Sequence, residues 1–541
     1  YDSLHSTPKQ QKLQEEEKKL DSFEIEDLAT VSKENDNTSV FLIPYCLMLI
    51  FTALPLFFLE LSLGQFNKLG PITLWSKVCP SMKGVGYCCV LIAWYVSFYY
   101  NVIIGWTFYY IYITLTSGSP LPWAHCGNPW NTPDCFSIIS VMNMNNQSCA
   151  NSTDNENKTS SAVEFYKRGV LEIHKSTGLE NMGSIRTPIV ICVACVFVVL
   201  YFSLFKGVKS SGKVVWVTAT APYVILTILL IRGLYLPGAA NDVLHADFLH
   251  LNIHFKLSDA LITVAVNSLT SFYSGFVIFT YLGYMANNMC KKISEVAQEG
   301  YGLVFMVYPE AISTLPYSHV WALLFFVMLV TLGLDSAVKF FSLLRMYSNH
   351  MGGLEAVITG VMDELNLKRV KREHFTAVVL FLSFSMSLIN TTQGGGYTMF
   401  WFDVYAATVA LLCSALFEAV AVSYCYGLNR FCGDIKLMID YYPSAYWRIC
   451  WKFMSPLCLT SIVLLTVYEA LSNPLSWENY QFPHWSIILG WAFSLLPVVF
   501  VPIVYIYHKI RERIHKPAVE ASVDSRNEII AVPPLKSPVY V

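Results

Sequence analysis

Asp335 lies in "VMLVTLGLDSAVKFF", residues 327–341, an otherwise apolar helical run. A carboxylate at membrane depth costs at least ~2.5–3.5 kcal/mol on insertion scales. Ser336 follows it, and the carbonyl of Leu332 lies about one turn earlier. A carboxylate, a hydroxyl and a carbonyl are the hard oxygen donors that a hard cation such as sodium takes. The alternative is a buried structural aspartate bonded to a neighbouring helix. Asn267 and Ser271 are four apart and share a helical face. They suit an ion site or ordinary hydrogen bonding between helices, worth ~0.6 kcal/mol on average. Val96 and Tyr100 also share a face, with Tyr95 and Tyr99 on neighbouring ones. An aromatic wall attracts a cationic amine through the ring quadrupole; packing or interface tyrosines are the other reading.

Asp363 and Asp403 end apolar stretches, where a solvated acid is the ordinary case. Glu60, Glu355 and Glu418 lie within such stretches and read as structural carboxyls bonded to backbone or hydroxyls. No P-loop, HExxH, GxSxG or spaced metal-ligand cluster appears, so no enzyme is expected.

These residues need membrane-spanning helices to hold them. The 541 residues are 54% hydrophobic and 14% charged, against ~25% charged in soluble domains. Mean hydropathy is +0.46, and aromatics reach 15%, as where rings line membrane interfaces. The fold class is therefore all-α and polytopic, in a lipid bilayer. A net charge of −2 gives no sign of a nucleic-acid partner. Of the 15 cysteines, most sit in apolar runs as buried thiols. Cys192 and Cys195 form a CxxC inside "VICVACVFVV" and read as helix packing.

Ten apolar stretches can span, each needing ~20 residues. They lie near 39–63, 86–115, 187–205, 214–234, 260–285, 318–344, 374–391, 398–426, 448–471 and 485–507. Residues 1–38 read as a polar, disordered tail without a secretory signal. A transmembrane domain covers 39–508, and 509–541 form a cytoplasmic tail. Loop 116–186 carries sequons at Asn146, Asn151 and Asn157, and Cys126 and Cys135 within "LPWAHCGNPWNTPDC". Together they argue for an extracellular, glycosylated loop closed by a disulfide.

Basic loops mark the cytoplasm. They are Lys68/Lys77/Lys83, "KGVKSSGK" at 206–213, "KRVKR" at 368–372, Arg430/Lys436/Arg448 and "HKIRERIHK" at 508–516. Counting spans from 206–213 puts "KRVKR" outside, against its charge. One span is missing between about 235 and 260. Counting back from Lys68 likewise puts the charged N-terminal tail outside.

The motifs carry a resemblance. "FLIPYCLMLIFTALPLFFLELSLGQF", "AWYVSFYYNVIIGW", "LPWAHCGNPWNTPDC", "KGVKSSGKVVWVTATAPYVIL", "NSLTSFYSGFVIFTYLGYMA" and "LVTLGLDSA" closely resemble the neurotransmitter:sodium symporters, above all the monoamine branch of serotonin, dopamine and noradrenaline transporters. The resemblance covers roughly 40–510. It implies a twelve-span fold of two inverted five-helix units, each opening with a helix broken at mid-membrane. Three departures stand out. "VSKENDNTSV" precedes "FLIPY" where the family has its broken first helix. "HFKLSDA" runs directly into the seventh helix where the broken sixth belongs. "VKFFSLLRMYSNH", 338–350, interrupts the eighth. Thirteen helical residues would add ~20 Å and rotate the remainder of that helix by ~220°, so a break or bulge is expected there.

By resemblance, Leu332, Asp335 and Ser336 belong to one sodium site and Asn267 to the other. Tyr45, Ser271 and Asn267 belong to a chloride site. Val96, Tyr100 and Tyr95 line the substrate site, and Asp403 and Asp363 serve the outer and inner gates. The implied activity is sodium- and chloride-dependent symport of a monoamine neurotransmitter by alternating access at the plasma membrane. Na+ and Cl− are co-transported, no organic cofactor is involved, and homo-oligomers are a family habit. Most partners of these residues belong to the two absent helices, including the acid that pairs the amine. The chain as written is therefore expected not to transport. The alternative to a symporter is a non-transporting truncated isoform, an incomplete gene model or a regulatory assembly partner.

Overall fold

The structure is a computed structural model. It describes residues 44–67, 69–140, 158–205, 208–236, 259–289, 300–339, 353–365, 370–477 and 480–530. At 208–217, 219, 259–263, 288–289, 335–339, 353 and 515–530 it describes the backbone alone. The expected N-terminal tail and the three sequons lie outside the described residues, as does the 338–350 insertion beyond Lys339.

The chain is a helical bundle. In order the main helices are α1 (Pro44–Asn67), α2 (Pro71–Val78), α3 (Lys83–Thr116), α4 (Thr187–Leu204), α5 (Val208–Leu234), α6 (Asp259–Met289), α7 (Tyr308–Ser313), α8 (Ser318–Lys339) and α9 (Gly353–Glu364). Then come α10 (Arg372–Ser387), α11 (Gly395–Ala406), α12 (Thr408–Val420), α13 (Leu428–Ile439), α14 (Ser455–Ser472) and α15 (His484–Ile530). Among the described residues, seven helical stretches are long and apolar enough to cross a membrane, and three shorter apolar helices accompany them. The expected span 398–426 is not one straight helix. It breaks at Ala407 (φ −123°, ψ −43°), between α11 and α12. Helix α15 continues past the expected tail boundary at 508.

α3 is the central post, packed by α2, α4, α8, α9, α10, α12 and α15. Its apolar run contains polar residues that close on their own helix. Asn101 Nδ2 donates to the Ser97 carbonyl at 3.0 Å, Thr107 Oγ1 to Ile103 at 3.0 Å and Thr114 Oγ1 to Tyr110 at 2.7 Å. Local closure suits a lipid setting, where no water is available to satisfy them. Small residues set the closest crossings. A Cβ on Gly105 would lie 2.5 Å from Val193 Cγ2 of α4, and one on Gly333 of α8 would lie 2.7 Å from Ile104 Cγ1.

Two loops cap one end of α3. Tyr110 Oη donates to the Phe305 carbonyl at 2.8 Å and Trp123 Nε1 to Pro309 at 3.0 Å. Loop 116–186 contains the parallel pair β1 (Cys135–Phe136) and β2 (Thr159–Ser160). At the same end, Ile185 bridges Thr392, and Leu179 N donates to Tyr480 Oη at 3.1 Å. Tyr480 belongs to the antiparallel pair β3 (Ser476–Trp477) and β4 (Tyr480–Gln481).

Candidate functional site

The ion-site residues lie on α1, α6 and α8. The Tyr45 ring of α1 meets Phe272 of α6 edge-on, with centroids 5.8 Å apart. Ser271, next to Phe272, donates its hydroxyl to the Asn267 carbonyl at 3.2 Å. The Tyr45 ring thus lies against the turn of α6 that carries Ser271, with Asn267 one turn earlier on the same helix. Asn267 is exposed and Ser271 half-buried. Leu332 on α8 is 39% exposed. Asp335 and Ser336 lie in the last turns of α8, and their side chains are outside the description.

The substrate candidates lie on α3. Tyr95 is buried and stacks on Phe493 of α15, centroids 4.0 Å apart and planes 18° apart. Val96 and Tyr100 are half-buried. Tyr99 is 7% exposed. The ring of Tyr95 is thus committed to packing between α3 and α15.

Of the gate candidates, Asp403 is exposed on α11, and its carbonyl accepts from Thr408 Oγ1 at 3.4 Å. Asp363 is exposed near the end of α9, with Oδ2 facing Gly70 so closely that a Cβ there would sit at 3.0 Å. Its neighbour Glu364 escaped sequence reasoning. Lys83 Nζ and Tyr87 Oη of α3 both donate to Glu364 Oε1, at 2.5 and 2.8 Å. This joins the end of α9 to the basic loop at Lys77 and Lys83.

The three intramembrane glutamates find different partners. Glu355 was expected to bond to backbone or hydroxyls. It pairs with the Arg372 guanidinium, which also donates to Thr359 Oγ1 at 3.2 Å. That is a correction, and a charge–charge pair is the stronger way to hold a buried carboxylate. Glu418 accepts from Cys89 Sγ at 3.2 Å and lies beside Glu60.

On the capped end of α3, Cys126 and Cys135 form a disulfide with a Cα–Cα distance of 5.8 Å. Beside it, Glu164 accepts from Asn131 Nδ2 at 3.0 Å and from the Thr132 amide at 2.9 Å. Burial alone would raise this carboxyl, but its hydrogen bonds from Thr132, Asn131 and Thr159 hold it below its usual range. Glu310 on α7 is the opposite case. It is 5% exposed, Oε1 has no partner, and burial pushes its carboxyl up to about 7, against a lowering hydrogen bond from Ser160. A glutamate within "YPEA" gives no sequence signal of burial; the packing of α6, α8 and loop 116–186 around α7 buries it.

Helices α5 and α6 run parallel. Tyr223 pairs with Thr270 at 2.8 Å, Thr227 with Tyr273 at 2.8 Å, and Tyr281 Oη donates to the Leu229 carbonyl at 3.2 Å. A Cβ on Gly233 would lie 2.7 Å from Thr280 Cγ2. Partner numbers rise together, so both helices point to the same face. Tyr284 Oη meets Thr314 Oγ1 at 3.1 Å, which puts that face at the α7 end.

The model of the sodium:neurotransmitter symporter family matches residues 32–254 and 247–512. The chain is 43% identical to the sodium-dependent dopamine transporter of Bos taurus over 502 residues, 86% of this chain and 69% of that one. It is 42% identical to the sodium-dependent serotonin transporter of Drosophila melanogaster over 507 residues, 86% of this chain and 76% of that one. Members of this family are transporters, not enzymes. The chain belongs to the sodium:neurotransmitter symporter family.

Proposed function

We propose that this family member is built on a sodium- and chloride-coupled plasma-membrane symporter for a monoamine, working by alternating access, and that the chain as it stands does not complete the transport cycle. The named activities of the dopamine and serotonin relatives support the amine and the sodium. The Tyr45 ring beside the Asn267–Ser271 stretch of α6 supports a chloride site, since a phenol and a side-chain amide are suitable donors to an anion, and the Ser271 hydroxyl, here bonded to the Asn267 carbonyl, would have to turn to join them.

The parallel run of α5 and α6 carries the second half of the reading. Two parallel spans need a return across the bilayer between them. Here only 237–258 connects them, and it contains Asp242, Asp247 and Lys256. Each charge costs ~2.5–3.5 kcal/mol at the centre of a helical span. The two matched pieces of the family model meet at 247–254, inside this segment. An absent sixth helix accounts for both observations. The exposure of Asn267 and Leu332 fits an ion cage with its far side missing.

The exposed hydroxyl pairs Tyr223–Thr270 and Thr227–Tyr273 favour a second reading, a regulatory partner that assembles with full-length copies.

The test is sodium-dependent uptake of labelled serotonin and dopamine by cells expressing this chain. No saturable uptake is expected. Saturable uptake abolished by replacing sodium overturns the inactivity. Grafting the first and sixth helices of a full-length relative is expected to restore uptake that needs both sodium and chloride. Co-expression with that relative, read as a change in its maximal uptake rate, tests the second reading.

A further inference from the structure

We propose that the first turns of the helical stretch Ala445–Ser472, which continues into α14, bind the phosphate of an anionic phospholipid between Arg448 and Lys452, with an acyl chain along Ile449, Phe453 and Leu457. One side of these turns is packed. Trp451 Nε1 donates to the Pro55 carbonyl of α1 at 2.6 Å, and Ser455 Oγ donates to that of Phe51 at 2.9 Å. The Trp451 ring lies 5.2 Å from the ring of Phe431 in α13. The other side is open: Ile449, Phe453 and Leu457 are each more than half exposed. Their spacing of four keeps them on one face. Arg448 and Lys452 share that spacing one residue earlier, so they run along the edge of the stripe, ~6 Å apart along the axis.

The protein leaves both charges unneutralised. Among the described residues neither cation is in an ion pair, and Arg448 Nε has no hydrogen-bond partner. Each lies against a ring instead. The Arg448 guanidinium carbon is 5.6 Å from the Tyr442 ring centre, and Lys452 Nζ is 5.2 Å from that of Phe453. Such contacts shelter the apolar stem and leave N–H donors for a ligand. Tyr424 Oη donates to the Lys452 carbonyl at 2.7 Å, which fixes the backbone and leaves the ammonium alone. Of the acids in α13 and its cap, Asp434 accepts from Tyr426 Oη, and Asp440 is exposed in a left-handed cap. The stretch ends at Ser472, and the β3–β4 pair beyond it meets loop 116–186 through Tyr480. Its first turns therefore lie at the opposite end of the bundle. Loop 116–186 reads as extracellular from its sequons, so Arg448 and Lys452 face the cytoplasmic leaflet, where anionic lipids concentrate. A phospholipid matches both halves of this surface. Its phosphate oxygens accept from a guanidinium and an ammonium, and its chain covers the apolar stripe. Tyr441 and Tyr442, both exposed, suit the headgroup level beside it.

The test needs no transport activity. The full chain is reconstituted in phosphatidylcholine nanodiscs that carry a diazirine-tailed probe, either phosphatidylserine or phosphatidylcholine, at equal mole fraction. After illumination, a chymotryptic digest is read by mass spectrometry. The phosphatidylserine probe should label the peptides holding Ile449, Phe453 and Leu457 several-fold more than the phosphatidylcholine probe. Lys452→Gln, on an exposed side chain, should remove most of that excess, and Lys452→Arg should keep it. Arg448→Gln should remove it as well. Equal labelling by the two probes in the unsubstituted chain overturns the site, whatever the variants do. An excess that survives in both glutamine variants overturns the role of the two cations. Loss of the excess on adding soluble glycerophosphoserine assigns the cations to a free phosphate and overturns the lipid as occupant.

Discussion

The indole N–H of Trp123 donates to the carbonyl oxygen of Pro309 at 3.0 Å. It joins the loop carrying the Cys126–Cys135 disulfide to the loop between α6 and α8. Both loops therefore lie on one face of the membrane. Span counting with ten sequential crossings puts them on opposite faces. A glycosylation sequon placed in 286–299 should then be used, giving a mobility shift removed by endoglycosidase. An unmodified sequon in chains whose natural sequons are glycosylated would reject the shared face.

Trp123→Phe should weaken the junction without changing the fold. It leaves the Pro309 carbonyl without its indole donor, which costs ~1–3 kcal/mol if no water replaces it. The expected outcome is faster proteolysis within 300–315, with the bundle still resistant. Equal cleavage rates would show that the bond contributes nothing to docking.

Glu310 should make this docking pH-dependent. Its carboxyl is raised by burial from 4.5 to about 7 when docked. An acid raised on folding binds more protons in the docked state, so docking is favoured at low pH. The contribution is fully present below about pH 4.5 and is lost as pH rises through about 7. Helices α6, α7 and α8 and the preceding π turn bring Tyr281, Tyr284, Tyr308 and His319 towards this region, and loop 116–186 brings Glu164. Glu164 is turned to Asn131 and Thr132. Hydrogen exchange in 303–313 should be roughly thirtyfold faster at pH 8 than at pH 5.5 after correction for intrinsic rates, since one pKa unit is a factor of ten and about one and a half units of the effect are lost between these two pH values. Glu310→Gln should remove that difference. A pH response surviving in the glutamine variant would place the sensor elsewhere.

Lys83, Tyr87 and Glu364 should stabilise the end of the bundle where α2 turns into α3. The ion pair is about one-quarter exposed on both sides, so its worth is modest, ~1 kcal/mol. Lys83→Glu and Glu364→Lys should each lower the melting temperature in detergent, and the double exchange should recover part of the loss. Additive losses in the double variant would show that the two side chains do not couple.

Cys126→Ser should impair maturation. The disulfide closes a short loop, for which chain entropy suggests ~2–3 kcal/mol. The variant should accumulate with endoglycosidase-sensitive glycans at lower surface level. Normal maturation would mean that the Glu164 hydrogen bonds hold the loop unaided.

Much of the architecture was legible in the chain. Composition and run length dictate a helical membrane bundle, because a lipid setting requires backbone hydrogen bonds to close within each segment. The motifs around Tyr45, Asn267 and Asp335 carried the family, and the Cys126–Cys135 spacing carried the loop's chemistry. The mismatch between charge and span count singles out residues 235–260. Each of these signals is local, read over one turn, one loop or one span. The tertiary structure decided what is distant. Lys83 and Glu364 are 281 residues apart, and no spacing rule links them. Arg372 was one of a basic run until the fold set it on Glu355. Glu310 is an ordinary loop glutamate until α6, α8 and loop 116–186 close around it. The shared direction of α5 and α6 is visible only when Tyr223 is seen against Thr270 and Leu229 against Tyr281. Hydropathy records that a segment prefers lipid, but it is symmetric along the helix axis. Direction and partner come from side chains meeting in space, and that information exists only once the bundle is packed.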